Sequence, residues 1–73
     1  MYPTLKAEMA RRDVTAAVLA EVIDRRAGTM SAKLNGSAPI TLDEAYAIYG
    51  YLDAVKPFDY GMTIEKLFEK EAA

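Results

Sequence analysis

The stretch Val14–Gly36, VTAAVLAEVIDRRAGTMSAKLNG, decides the architecture. From Ala16 to Ile23 it holds neither Gly nor Pro and is rich in Ala, Leu and Glu, which are strong helix formers. Thr15 stands ahead of this run, and its hydroxyl can accept from the amides of the first turn. Val18, Leu19, Val22 and Ile23 recur at helical spacing and make one apolar stripe. Ala20 is small enough to let a neighbouring helix come close. Asp24-Arg25-Arg26 interrupts the pattern. A second periodic run, Arg26 to Leu34, places Ala27, Met30 and Leu34 on one face and stops at Asn35-Gly36, two residues that tolerate positive φ. Two short helices with about three residues between them have the spacing of a helix-turn-helix.

Upstream, Tyr2-Pro3-Thr4 opens another helix, since proline at a helix start lacks only a donor that has no partner there. Leu5 and Met9 share its apolar face, which the aliphatic stem of Arg12 could join, Asp13 ends it, and Lys6, Arg11 and Arg12 read as solvated cations. Downstream, Gly36-Ser37-Ala38-Pro39 is a loop. Thr41-Leu42-Asp43-Glu44 is a capping box that opens a helix running to about Ala54. Leu42, Ala45, Ile48, Tyr49 and Leu52 are its core-facing positions. Tyr46, Tyr49, Tyr51 and Tyr60 suggest an aromatic cluster for core packing or a dimer interface. Pro57 drives Lys56 out of the α region, so residues 56–61 form a loop. Thr63 can cap a last helix, Ile64 to about Lys70, with Ile64, Leu67 and Phe68 as its apolar edge, and the tail from Glu69 to Ala73 is expected to fray.

Composition narrows the function. Seventy-three residues, 52% of them hydrophobic, fit one small globular domain and not a disordered chain. The absence of Cys and His removes disulfides, thiol chemistry and the usual zinc ligands. No apolar run approaches the ~20 residues that span a bilayer, and MYPTLKAEM lacks the basic-then-apolar order of a signal peptide, so a cytoplasmic protein is expected. The acidic groups Asp43-Glu44 and Glu65-Glu69-Glu71 read as exposed helical faces. With no nucleophile–base pair and no glycine-rich loop, an enzyme is not expected. Nor is a cofactor, a metal or a small-molecule substrate.

The net charge of −2 is unevenly divided. Residues 1–36 carry Lys6, Arg11, Arg12, Arg25, Arg26 and Lys33 against Glu8, Asp13, Glu21 and Asp24, a balance of +2. Residues 37–73 carry three basic and seven acidic residues, a balance of −4. The positive charge therefore sits in the helix-turn-helix half, where contact with phosphate would need it.

Thr15, Leu19-Ala20, Val22, Ile23, Asp24, Met30 and Lys33-Leu34-Asn35-Gly36 together resemble the Cro/repressor (XRE) class of helix-turn-helix proteins. The likeness extends upstream through Leu5–Arg12 and downstream through Ile40–Ala45, and is greatest to compact phage- or prophage-derived repressors. The resemblance implies an all-α, five-helix domain of the λ-repressor-like type over residues 1–73. It also implies a homodimer on double-stranded DNA and a role in transcription regulation. Two positions depart from the family pattern: Ala16 stands where Gln is usual, and Asp24 where the turn usually has Gly.

The resemblance places the second motif helix in the major groove. Arg25, Arg26, Thr29 and Lys33 would meet phosphates or groove edges. Ala27, Gly28, Ser31 and Ala32 fall at the base-reading positions, and Asn35 and Ser37 would face the backbone. Ser31 is the one side chain of those four that can hydrogen-bond a base edge, whereas Ala27 or Ala32 could touch a thymine methyl. Specificity would then lean on DNA shape and half-site spacing. The same small residues, the missing Gln and the acidic second half leave an alternative open: a protein-interaction module on this fold, with weakened or lost DNA readout.

Overall fold

The structure, a computed structural model, describes residues 2–70. They form five helices and, among the described residues, no strand: α1 Pro3–Arg11, α2 Ala16–Val22, α3 Ala27–Leu34, α4 Leu42–Val55 and α5 Ile64–Leu67. The all-helical class and the first four helices match the sequence reading to within a residue or two. The Cα radius of gyration is 11.2 Å, against about 11 Å for a well-packed chain of this length.

Local chemistry explains where the helices begin. The hydroxyls of Thr15, Thr41 and Thr63 accept from the amides of Val18 (3.3 Å), Glu44 (3.2 Å) and Lys66 (3.1 Å). At Thr41 the box is complete, because the Glu44 carboxylate accepts from the Thr41 amide at 3.0 Å. Helices α1, α2 and α3 all end in one way. Asp13 (φ 54°), Asp24 (φ 55°) and Gly36 (φ 83°) each take the left-handed conformation just beyond the helix. The next amide folds back onto the last turn: Val14 to the Met9 carbonyl at 2.9 Å, Arg25 to Ala20 at 2.8 Å, Ser37 to Ala32 at 2.9 Å. These are Schellman closures, and two of the three use aspartate where glycine is the easier residue. Asp24 thus performs the turn expected of it, with positive φ.

Leu5, Leu19, Met30, Ile48, Leu52 and Leu67 are fully buried, so every helix supplies at least one core residue. Helix α2 packs mainly on α3, α4 contacts α2 and α5, and α1 contacts α5. Val18, Ile23, Leu34 and Tyr49 pack around this core.

Several expectations change. Leu42 is 65% exposed, because it occupies the first position of α4, one turn beyond the buried series Ala45, Ile48, Leu52. The four tyrosines do not cluster: Tyr49 stacks on Phe58 at 4.7 Å and Tyr51 packs on the core, while Tyr46 and Tyr60 stand exposed. Ala27 is exposed and does not join Met30 in the core. Helix α5 ends at Leu67, short of Lys70, as Phe68 turns its ring edge-on to Tyr2 at 5.9 Å. Glu71 and the tail residues 71–73 lie outside the described residues.

The largest correction is Arg12, whose side chain is 2% exposed. Its Nε donates to the carbonyls of Leu52 (2.8 Å) and Lys56 (3.0 Å), and one Nη donates to Lys56 again at 2.6 Å. The other Nη donates to the Glu8 carbonyl (3.0 Å) and carboxylate (2.6 Å). The guanidinium also lies 4.4 Å over the Phe58 ring. Arg12 therefore caps the C-terminus of α4 from α1, a position where a cation satisfies carbonyls that the helix leaves open.

Candidate nucleic-acid interface

The turn between α2 and α3 presents Arg25 and Arg26 to solvent at the start of α3. Arg26 is the N-cap residue, makes no side-chain cap, and no acid sits in the first turn. The opening amides of α3 are therefore uncapped by side chains, and such a helix end carries partial positive charge that favours anions. Ala27, Gly28, Thr29 and Ser31 are exposed, Ala32 is half-buried, and Asn35 and Ser37 are exposed at the other end. A Cβ at Gly28 would meet nothing within 4 Å, so no neighbouring atom requires glycine there. The exposed surface of α3 is low and smooth, with the Thr29 and Ser31 hydroxyls as its polar features. Asp24, Arg25, Arg26, Thr29 and Lys33 line a shallow depression of about 680 Å³ beside it.

Lys33 does not join the exposed set. Its side chain is 10% exposed, and its ammonium donates to the Pro39 carbonyl at 2.7 Å and pairs with the Glu44 carboxylate at 2.9 Å. It closes the loop from α3 to α4 and has little left to offer a phosphate. Ser31 and Thr29 remain as the face's side-chain donors, and Arg25 and Arg26 as its cations.

Glu44 is the residue whose part here the sequence reading missed. It is buried, not on an exposed acidic face. One carboxylate oxygen accepts from the Thr41 amide and from Lys33, and the other accepts from Arg25 Nε at 3.2 Å. The Thr41 amide first, and then the Lys33 and Arg25 side chains, bring its pKa down from an ordinary 4.5 to about 2, against the upward push of burial. The capping box already implied a carboxylate folded back over Thr41. Nothing local indicated that Lys33 and Arg25, 11 and 19 residues earlier, would meet it.

Among the described residues no three Asp or Glu side chains gather as a metal site would require, and no helix is long and apolar enough to cross a membrane. Compared with family models, with curated proteins and with solved structures, the chain matches none of them.

Proposed function

We propose that this chain is a λ-repressor-like helix-turn-helix domain that binds duplex DNA as a small transcriptional regulator, with α3 in the major groove of each half-site and a homodimer as the binding unit. The observation that carries this reading is the start of α3. There an uncapped helix N-terminus, two exposed arginines and a low-relief surface of Ala27, Gly28 and Ser31 occur together. A smooth helix lets the backbone approach the base edges closely, and the arginines supply the sequence-independent attraction. Base discrimination rests on Thr29, Ser31 and methyl contacts, so DNA shape contributes much of the preference.

Fluorescence anisotropy tests this. The protein is titrated against duplex from upstream of its own gene and against shuffled duplex, each at several salt concentrations. With Lys33 committed internally, Arg25 and Arg26 are the main phosphate cations. The expected slope of log K against log[salt] is then about −2 per protomer, against about −3 had Lys33 also been available. Preference for the native duplex supports a regulator. Equal affinity for both leaves only electrostatic binding, and no binding at low salt rejects the reading.

A second reading is favoured by one feature. Leu42 (65% exposed) lines a shallow, largely apolar groove with Tyr2, Ile40, Ala45 and Phe68. On an interaction module that groove would be the working surface. Failure to bind DNA, together with recovery of a specific protein partner lost on Leu42→Ala, would select it.

A further inference from the structure

Arg25 has two tasks in this structure and only one of them is filled. Its backbone amide is held by the Ala20 carbonyl at 2.8 Å, in the closure of α2. Its side chain is 57% exposed, yet its Nε donates to Glu44 at 3.2 Å. Among the described residues neither Nη of Arg25 has a partner. The guanidinium is thus anchored through Nε, and the donors of its two Nη nitrogens stay available to another acceptor. A planar fork fixed in that way is suited to bidentate contact with a phosphate, because its orientation is settled before the ligand arrives.

Glu44 is itself rigidly placed. It sits in the first turn of α4, and its other oxygen is fixed by the Thr41 amide and by Lys33, which is in turn held by the Pro39 carbonyl. We propose that Glu44 is a positioning residue for DNA: it orients Arg25 so that the free guanidinium edge meets a backbone phosphate beside α3. The inference rests on the duplex-binding reading and goes beyond it, because it gives an acidic residue on a different helix a part in affinity for a polyanion.

The sign of the effect separates this from simple electrostatics. Removing a negative charge near DNA raises affinity if charge alone matters. Removing the anchor lowers it. Glu44→Gln keeps an oxygen for the Thr41 amide but places an amide NH₂ where Arg25 Nε now donates, so the two donors oppose and Arg25 is released.

The experiment measures anisotropy with the upstream duplex for wild type, Glu44→Gln, Arg25→Ala and the double variant, with folding of each checked by circular dichroism. Glu44→Gln is expected to bind about five- to tenfold more weakly, the loss of one charge-assisted contact. Its salt slope should fall by about 1, as in Arg25→Ala. The double variant should bind no worse than Arg25→Ala alone, because Glu44 acts through Arg25. In wild type the Arg25 Nε–H NMR signal should persist at a pH where that of Arg26 has exchanged away, a readout independent of any variant's folding. If wild type binds and Glu44→Gln binds equally or more tightly, or if the Arg25 and Arg26 signals exchange alike, the positioning role is wrong and DNA binding stands. If wild type fails to bind duplex at any salt, the DNA reading is wrong and this inference fails with it.

Discussion

Arg12→Lys isolates what the guanidinium does in the core. Charge is retained, but the planar fork is replaced by a single ammonium. Arg12 makes five hydrogen bonds, to the Leu52 carbonyl, twice to the Lys56 carbonyl, and to the Glu8 carbonyl and carboxylate. A lysine at this position can reach roughly two of those acceptors at once. Hydrogen bonds to charged groups contribute about 1.5–3 kcal/mol each in isolation, and less when several share one group. The expected loss for Arg12→Lys is therefore about 2–4 kcal/mol, and about 3–5 kcal/mol for Arg12→Ala, which also leaves the buried Glu8 carboxylate with the exposed Arg11 as its ion-pair partner. A domain of this size has roughly 4–11 kcal/mol of stability in all, so Arg12→Ala brings it near unfolding at 25 °C. The assay is urea unfolding followed by far-ultraviolet circular dichroism. With a slope near 1 kcal/mol/M for so small a chain, the Arg12→Lys midpoint should fall by about 2 M or more. Arg11→Lys is the reference: that side chain is 56% exposed, pairs with Glu8 at 3.3 Å and Asp59 at 3.5 Å, and should change stability by no more than about 0.5 kcal/mol. If the two lysine variants unfold at the same urea concentration with the same slope, the reasoning about the buried fork is refuted.

Asp24→Gly should stabilise the domain by about 0.5–1 kcal/mol, since glycine adopts the φ of 55° without strain; a lower melting temperature would show that the Asp24 side chain makes a contribution the backbone does not reveal. Gly50→Ala, in the middle of α4 with nothing within 4 Å of the new methyl, should stabilise by about 0.5–1 kcal/mol in the same melts, and a loss would mean that this face is covered in solution. Glu44 has a depressed folded pKa, so its contribution is complete above its ordinary pKa of 4.5 and disappears as pH falls from there towards about 2. Taken whole, that shift corresponds to roughly 3 kcal/mol; water and salt reach the Arg25 side of the group, so about 1–2 kcal/mol is expected. The stability gap between wild type and Glu44→Gln should accordingly narrow between pH 5 and pH 2, and a gap unchanged across that window would mean the carboxylate charge contributes nothing.

The features that were legible in the sequence are those written within a few residues of themselves. Thr15, Thr41 and Thr63 cap because a hydroxyl reaches an amide three residues on, and Asn35-Gly36 stops α3 because glycine takes positive φ freely. The core series Leu19, Met30, Ile48 and Leu52 follows from helical periodicity, as does the pair of short helices around Asp24. Periodicity carries no information about where one helix end meets another helix. That is why three charged residues were misread. Arg12 reads locally as a solvated cation near a helix end, but the fold brings it against the last carbonyls of α4, 40 and 44 residues away. Lys33 and Glu44 read as a groove cation and a surface acid, yet packing of the α3–α4 loop joins them and takes both out of water. A buried charge is tolerated only where a partner is delivered to it, and delivery depends on the whole tertiary arrangement. The sequence by itself therefore determined five helices, most of their ends and most of their apolar faces, while only the tertiary structure decided which cations stayed exposed at the start of α3 and which were buried in holding it in place.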